Sequence, residues 1–327
     1  FKGRNLIIGR TANITKAKPD QGRAACNYRN QCAGGCSFGA YYSSVSVTLP
    51  AAAKTGNLTI QANSVVSSLE YDPKTKRVTG VRIVNTKTKK KETIKSKVVF
   101  LNASTIGSTQ ILMNSTSEAS PKGLGGSSGA LGNYLMDHTW GTRIQGTVLD
   151  TNGKIEKGRR PTGIYVPRYR NINEKNDTDV DFLRGYNFQG GAKPEDWSQR
   201  ALNIPGFGAS LKEGINTPGG NWIFTLYGFA ECLPYKENKM MLSSKDDPYG
   251  IPQVKFDAVF KENEFKLVKD MIKEGEKMLR TTGLANVKST MGEMLPGLGI
   301  HEMGTARMGS DPSKSVVNKW NQVHEAK

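Results

Sequence analysis

The sequence predicts a mixed α/β (α+β) fold, in which part of an α/β domain with a β-meander accompanies a second domain built on an antiparallel sheet. Alternating runs predict the meander between Leu58 and Asn102, and short strand-like runs with interleaved Tyr and Trp predict the sheet between Trp140 and Tyr249. An amphipathic helix follows near Phe265. The 327 residues correspond to about two domains of roughly 150 residues each.

The meander is predicted from period-two alternation. Ser64 to Tyr71 and Val78 to Val84 alternate moderately, and Asp72 to Arg77 between them carries turn residues. The lysine-rich stretch Lys87 to Lys91 falls between two strand-like runs, and we interpret it as a solvated hairpin turn.

A strand-to-helix junction is predicted after the meander. Lys97 to Asn102 is an apolar run typical of a buried strand, and Ser104 or Thr105 is predicted to cap a helix. The apolar positions of that helix include Ile106, Ile111 and Leu112. Nucleotides bind at such junctions in open α/β sheets.

In the second region Ile223 to Ala230 is the clearest strand, and its apolar, aromatic neighbourhood could stack on a ring or a sugar. The helix that follows is predicted to end at Gly283. Its apolar residues fall on one face: Phe265, Val268, Met271, Ile272, Met278 and Leu279.

His301 stands at the head of a glycine-punctuated run, His-Glu-Met-Gly-Thr-Ala-Arg-Met-Gly, that ends at Gly309. An imidazole exchanges protons near neutral pH, and Gly304 lets the backbone approach a bulky partner closely. The run resembles the His-x-x-Gly-Thr-x-x-Met signature of the glucose-methanol-choline (GMC) family of flavin-dependent oxidoreductases. The resemblance implies that His301 faces a flavin and acts as the catalytic acid/base.

The resemblance extends over most of the chain, through Cys26 to Ala40, Gly56 to Ile60, Val98 to Ser115 and Leu131 to His138. It implies a Rossmann-like FAD-binding domain at 1–137 and 293–327 and a substrate domain at 138–292. The Gly-x-Gly-x-x-Gly that opens such a domain does not occur in this sequence. The family's second catalytic residue would fall after Lys327, so we expect a central part of a larger enzyme.

Several cofactor contacts are implied by the same resemblance. Val66 would contribute backbone contacts to the FAD adenine, although a valine in a strand also reads as ordinary sheet core. Asn102, Ala103 and Ser104 would lie near the ribose and pyrophosphate, and Gly304 would be a further contact to the cofactor. Two further histidines are interpreted differently: His138 as a structural residue between domains, and His324 as solvated.

Cys26, Cys32 and Cys36 form C-x5-C-x3-C within the loop 20–42. Thiolates at this density suit an iron–sulfur cluster. A disulfide or buried free thiols are the alternatives. The spacing is similar to that of membrane-linked sugar dehydrogenases of the same family, which carry a three-iron cluster. That similarity implies a small subunit, a cytochrome electron acceptor and a bacterial periplasmic location.

The predicted function is therefore an FAD-dependent alcohol or sugar dehydrogenase, in which hydride passes from the substrate carbinol to the flavin. An oxidase that uses oxygen and a non-catalytic electron-transfer or scaffold subunit are the alternatives. The net charge of +17 does not indicate nucleic-acid binding, because the lysines are scattered and no binding module accompanies them. No run of eighteen apolar residues occurs that could span a membrane.

Overall fold

The computed structural model describes residues 5–8, 13–28, 32, 35–151, 163–172, 180–194, 201–202, 204–216 and 221–327. The chain divides into two compact units, each assembled from three stretches. The first, here called the sheet unit, comprises Phe1–Thr59, Trp140–Ala230 and Phe265–Glu293. The second, the meander unit, comprises Ile60–Thr139, Glu231–Glu264 and Met294–Lys327.

The sheet unit is built on a six-stranded sheet. Its strands are β1 Ile7–Ile8, β5 Arg143–Val148, β6 Ile164–Val166, β7 Tyr186–Pro194, β8 Trp222–Ala230 and β11 Ala285–Thr290. They lie in the order β1-β6-β7-β8-β5-β11, and every neighbouring pair is antiparallel. Short helical segments are a 3-10 turn Pro19–Gln21, a π-helical turn Ser44–Thr48, α1 Leu49–Lys54 and α3 Ala209–Asn216.

Helix α4, Glu262–Thr281, packs on this sheet at Met271 and Gly275. A Cβ placed on Gly275 would lie 2.9 Å from Ile144 Cδ1 and 3.4 Å from Phe188. The buried face of the helix carries Leu267, Val268, Met271, Met278 and Leu279. Gly283, at φ +79°, follows it. The amides of Gly283 and Leu284 bond the carbonyls of Arg280 and Leu279, which is the Schellman arrangement of a helix end.

The meander unit contains two small antiparallel sheets and one helix. The strands β2 Ser64–Asp72, β3 Arg77–Asn85 and β4 Lys91–Lys95 form the meander, and β9 Lys239–Asp246 pairs with β10 Pro252–Asp257. Helix α2, Ser104–Asn114, packs on β2 through a buried cluster of Leu69, Ile111, Leu112 and Leu124.

These elements confirm the predicted mixed α/β class and several individual predictions. The first two strands of the meander and the turn between them, the hairpin turn at Lys87 to Lys91, strand β8 and helix α4 all form where the patterns placed them. Alternation and helical periodicity are local signals, so they predict a strand or a helix without knowledge of its distant partners.

The buried strand predicted at Lys97 to Asn102 is wrong. Within the residues that the structure describes, no strand forms there or pairs with this run. Val98 is 60% exposed and Phe100 is 82% exposed. An apolar run becomes a buried strand only when neighbouring strands and a packed layer cover it.

The predicted cap of helix α2 is also wrong. Ala103 occupies the N-cap position and no side chain caps the helix. The Thr105 hydroxyl instead donates to the carbonyl of Glu302 at 2.7 Å. Ser104 takes a left-handed backbone conformation, φ +59°, inside the first turn.

Two of the boundaries between the compact units fall between residues 139 and 140 and between residues 293 and 294. These points lie close to the predicted domain boundaries after 137 and 292. The units also group residues 1–59 with the sheet unit and 231–264 with the meander unit. The assignment of 1–137 and 293–327 to a cofactor domain, and of 138–292 to a substrate domain, stays a prediction.

Candidate active site

Two distant segments of the meander unit pair with each other at the predicted catalytic histidine. Met136 and Met303 form an antiparallel bridge, with N–O distances of 2.9 and 3.0 Å between their backbones. Beyond this bridge the two segments bring His138 beside His301. Their Nδ1 atoms are 3.1 Å apart, and the rings meet edge to face at 85°.

Asp137 fixes the backbone on both sides of this histidine pair. Its side chain is buried, at 1% exposure. One carboxylate oxygen accepts the amides of His138 and His301 at 2.8 and 3.0 Å. The other accepts those of Gly297 and Gly299 at 2.8 and 2.9 Å. A single carboxylate therefore satisfies four backbone donors, and it sets the path of the loop that leads into His301.

The electrostatics of the pair favour a neutral His138. This ring is partly buried, and loss of hydration lowers its pKa. A positive charge on His301 lowers the pKa further, while the carboxylates of Asp137 and Glu231 act in the opposite direction. The pair therefore disfavours the state in which both rings carry a proton on each nitrogen.

Gly304 meets a strict steric requirement within the same run. Its φ is +91°, and a Cβ there would lie 1.9 Å from the carbonyl oxygen of Tyr134. Any larger residue would force apart the two paired segments. Gly304, which is predicted to let a bulky partner approach closely, thus lies against the chain's own backbone at Tyr134.

A cleft of about 460 Å³ opens between the start of helix α2 and the run after His301. Three of the predicted cofactor contacts, Asn102, Ser104 and Gly304, lie in its wall. The wall is completed by Leu101, Thr105, Ser108, Thr109, Thr305 and Ala306. The buried hydroxyls of Thr109 and Thr305 bond each other at 2.8 Å and hold helix and run together.

The other two predicted contacts lie elsewhere. Ala103 precedes the helix but is not in the cleft wall. Val66 lies on β2 and packs against the buried cluster around Leu69 and Leu112, which is the sheet-core position that the sequence left open. A backbone contact from Val66 to an adenine stays a prediction.

The described residues of the cysteine loop do not form a metal-ligand set. Cys26, Cys32 and Cys36 are all unpaired, so the disulfide alternative is not found. In the part of the chain that the structure describes, no three His, Cys, Asp or Glu side chains gather around a common point suited to a metal ion. The backbone amide of Tyr41 lowers the pKa of the Cys36 thiol, which favours its thiolate form.

Sequence reasoning missed two members of the site. The sequence pattern indicates only a structural role for His138, and it does not single out Asp137. The contact joins residues 163 positions apart. The sequence signal that could have pointed to this contact is the Asp-His pair itself, because carboxylates are common partners of functional histidines. His324, expected in solvent, accepts or donates a bond with the Ser315 hydroxyl at 2.9 Å.

Comparisons with known proteins point to one family. Two family models, both described as GMC oxidoreductase, match residues 9–140 and 234–327. The chain is 30% identical over 253 residues to the 2-methyl-1,2-propanediol dehydrogenase of Mycolicibacterium austroafricanum, which covers 76% of this chain and 44% of that protein. It is 26% identical over 322 residues to the fructose dehydrogenase large subunit of Gluconobacter japonicus, which covers 94% and 54%. The chain thus spans about half the length of these relatives.

Solved structures show a similar fold. A formate oxidase of Aspergillus oryzae superposes with a TM-score of 0.53 at 16% identity, over 88% of this chain and 57% of that one. At this identity the similarity concerns the fold, and it agrees with the mixed α/β class.

Within the described residues, none of the helices is long and apolar enough to cross a membrane.

Proposed function

Because this chain belongs to the GMC oxidoreductase family, we propose that it is part of an FAD-dependent dehydrogenase that oxidises the CH–OH group of an alcohol or sugar. His301 is the acid/base of this proposal. The observation that carries it is that one short run supplies both this histidine and, through Gly304 to Ala306, a wall of the cleft. The names of the two relatives, a diol dehydrogenase and a sugar dehydrogenase, support the substrate class.

The residues around the cleft suit part of an FAD molecule. Helix α2 begins without a side-chain cap, so the amides of its first turn are available to an anion such as a pyrophosphate. Asn102 and Ser104 add polar groups at the same edge. Gly304, which packs against the Tyr134 carbonyl, contributes backbone to the cleft wall. When bound, FAD supplies the two-electron acceptor for the hydride that leaves the carbinol carbon.

His301 takes the proton of the substrate hydroxyl in this proposal. An isolated alcohol is far too weak an acid for an imidazole to deprotonate in full. The proton therefore moves to His301 as the carbon–hydrogen bond breaks and charge builds on oxygen. Asp137 contributes by holding the amide of His301 in place, so that the ring keeps its position during the transfer.

The electron acceptor after the flavin is proposed to be a separate protein, a small subunit or a cytochrome. The relative named as a large subunit supports this. The described residues around Cys26, Cys32 and Cys36 do not form a metal site, so no transfer step is assigned to an iron–sulfur cluster. Oxygen uptake with stoichiometric peroxide during turnover would instead indicate an oxidase. Iron analysis of the protein would show whether it carries an iron–sulfur cluster.

The test is the variant His301→Ala in the flavin-loaded protein. We expect kcat to fall by about 10² to 10⁴, the usual contribution of a general acid/base, while flavin content measured by absorbance stays normal. His324→Gln is the matched control, since it removes an imidazole but keeps a hydrogen-bonding side chain near Ser315. Near-full turnover of His301→Ala, or loss of flavin with activity, would contradict the assigned role.

A further inference from the structure

We propose that His138 is a positioning residue, whose Nδ1 accepts the Nδ1–H of His301 and so leaves Nε2 of His301 as the atom that takes the substrate proton. This inference rests on the proposed role of His301 as the acid/base. It assigns to His138 a function that neither the sequence pattern nor the family resemblance gave it.

The distance between the two Nδ1 atoms is the observation that supports this role. At 3.1 Å the two Nδ1 atoms are within hydrogen-bond range. Two lone pairs cannot face each other at this distance, so one Nδ1 must carry a hydrogen and the other must accept it. Only two arrangements of the neutral pair are then available, and they differ in what His301 can do.

In the first arrangement His138 donates and His301 accepts. Neutral His301 then carries its hydrogen on Nε2, and its basic nitrogen is already used by His138. In the second arrangement His301 donates from Nδ1. Its Nε2 is then basic, and a proton taken there makes His301 a charged donor to a neutral acceptor, which is a stronger hydrogen bond. Base chemistry at His301 therefore requires the second arrangement.

The surroundings of His138 keep it an acceptor. Its partial burial and the nearby His301 lower its pKa, against the smaller opposing effects of Asp137 and Glu231. His301 is the more exposed of the two rings, so water solvates a positive charge better there than on His138. The backbone of both residues is already held by Asp137. The His138 side chain is thus not needed to fix the loop, and its ring contact with His301 is left to set the tautomer.

Two variants separate this role from simple packing. His138→Phe keeps a ring of similar size but removes the acceptor, whereas His138→Asn retains an oxygen that can accept from His301. We expect His138→Phe to lower kcat about 10- to 100-fold, the effect of one hydrogen bond to a charged group, with little change in KM. His138→Asn should recover most of that loss. The rising limb of kcat/KM against pH should move to lower pH in His138→Phe only, because protonated His301 loses its acceptor.

The tautomer is measured directly by long-range ¹H–¹⁵N NMR of the flavin-loaded protein labelled on histidine nitrogens. At alkaline pH, His301 should carry hydrogen on Nδ1 and His138 on Nε2, and His138→Phe should abolish this tautomer preference of His301. Hydrogen on Nε2 of His301 in the unsubstituted protein would overturn the inference, as would His138→Phe with normal kcat and pH profile. If His301→Ala remained active, the proposed function would fail instead, whatever the tautomer.

Discussion

At the scale of single residues, the buried carboxylate of Asp137 is the centre of the candidate site. Four backbone amides, from residues 138, 297, 299 and 301, converge on its two oxygens. An ionised carboxylate is the side chain that can accept all four without offering a donor of its own. The loop before His301 thus depends on one side chain from a segment some 160 residues away.

We predict that Asp137→Asn destabilises the protein by about 2 to 4 kcal/mol, because its amide nitrogen would face two backbone donors and leave them unpaired. Urea denaturation followed by tryptophan fluorescence measures the free energy of unfolding. Asp257→Asn is the control, since the Asp257 side chain is 69% exposed and its ion pair with Lys239 is long, at 4.0 Å. The free energy of unfolding of this variant should change by no more than about 0.5 kcal/mol. Equal losses of stability in the two variants would contradict the role of Asp137 in binding the four backbone amides.

The sequence predicted His301 and Gly304 because both stand in one continuous run, where spacing is visible. It could not predict that His138 meets His301, since that contact depends on the bridge between Met136 and Met303. Nor could it tell which predicted cofactor contacts share a cleft. Asn102 and Ser104 lie in its wall, while Val66 packs in the core. Local patterns identify candidate residues, and long-range pairing decides which of them come together.

At the scale of elements, helix α4 shows how a glycine can serve packing against its own helix propensity. Gly275 lies in the middle of the helix, where Ala would be favoured by about 1 kcal/mol. A Cβ at this position would approach Ile144 Cδ1 and Cγ1 to 2.9 Å each. Ile144 is fully buried in β5, so it has little room to yield.

We expect Gly275→Ala to be net destabilising, because overpacking costs roughly 1 to 3 kcal/mol and exceeds the gain in helix propensity. The melting temperature, measured by circular dichroism, should fall. Adding Ile144→Val, which removes Cδ1, should recover part of the loss. Lys273→Ala on the exposed face of α4 is the control and should change little. A higher melting temperature for Gly275→Ala would show that the sheet moves aside.

The periodic elements β2, β3, β8 and α4 could be predicted from sequence because their alternating or helical patterns extend over about seven residues or more. Lys97 to Asn102 could not, since a run of six apolar-rich residues carries no information on whether a neighbouring strand covers it. The cap of α2 was missed for a related reason. The hydroxyl of Thr105 found the distant carbonyl of Glu302 instead of its own helix.

At the scale of the whole molecule, both compact units are assembled from stretches that are far apart in sequence. In the sheet unit, β5 pairs with β8 and with β11, which follow it by about 80 and 140 residues. In the meander unit, residues 132–136 pair with 303–305. Such assembly orders cannot be read from alternation or helical periodicity, which report only on neighbours in the chain. The antiparallel class of the main sheet was nevertheless predictable from its short strands.

The pH dependence of stability follows from the histidine pair. The pKa of His138 in the folded protein is lowered, chiefly by loss of hydration, relative to about 6.5 in an unfolded chain. Between these values the unfolded chain binds more protons, so stability is full above about pH 6.5 and is lost as pH falls toward the folded pKa. The urea midpoint should therefore be lower at about pH 5 than at about pH 7.5, a range in which most carboxylates stay ionised.

His138→Phe should flatten this dependence, because the ring that must bind a proton on unfolding is gone. The comparison is made between two slopes of midpoint against pH, so a uniform change in stability caused by the substitution does not affect it. The same substitution is expected to move the rising limb of kcat/KM. A loss of stability with acid that is as steep in His138→Phe as in the unsubstituted protein would mean that groups other than His138 cause the pH dependence of stability.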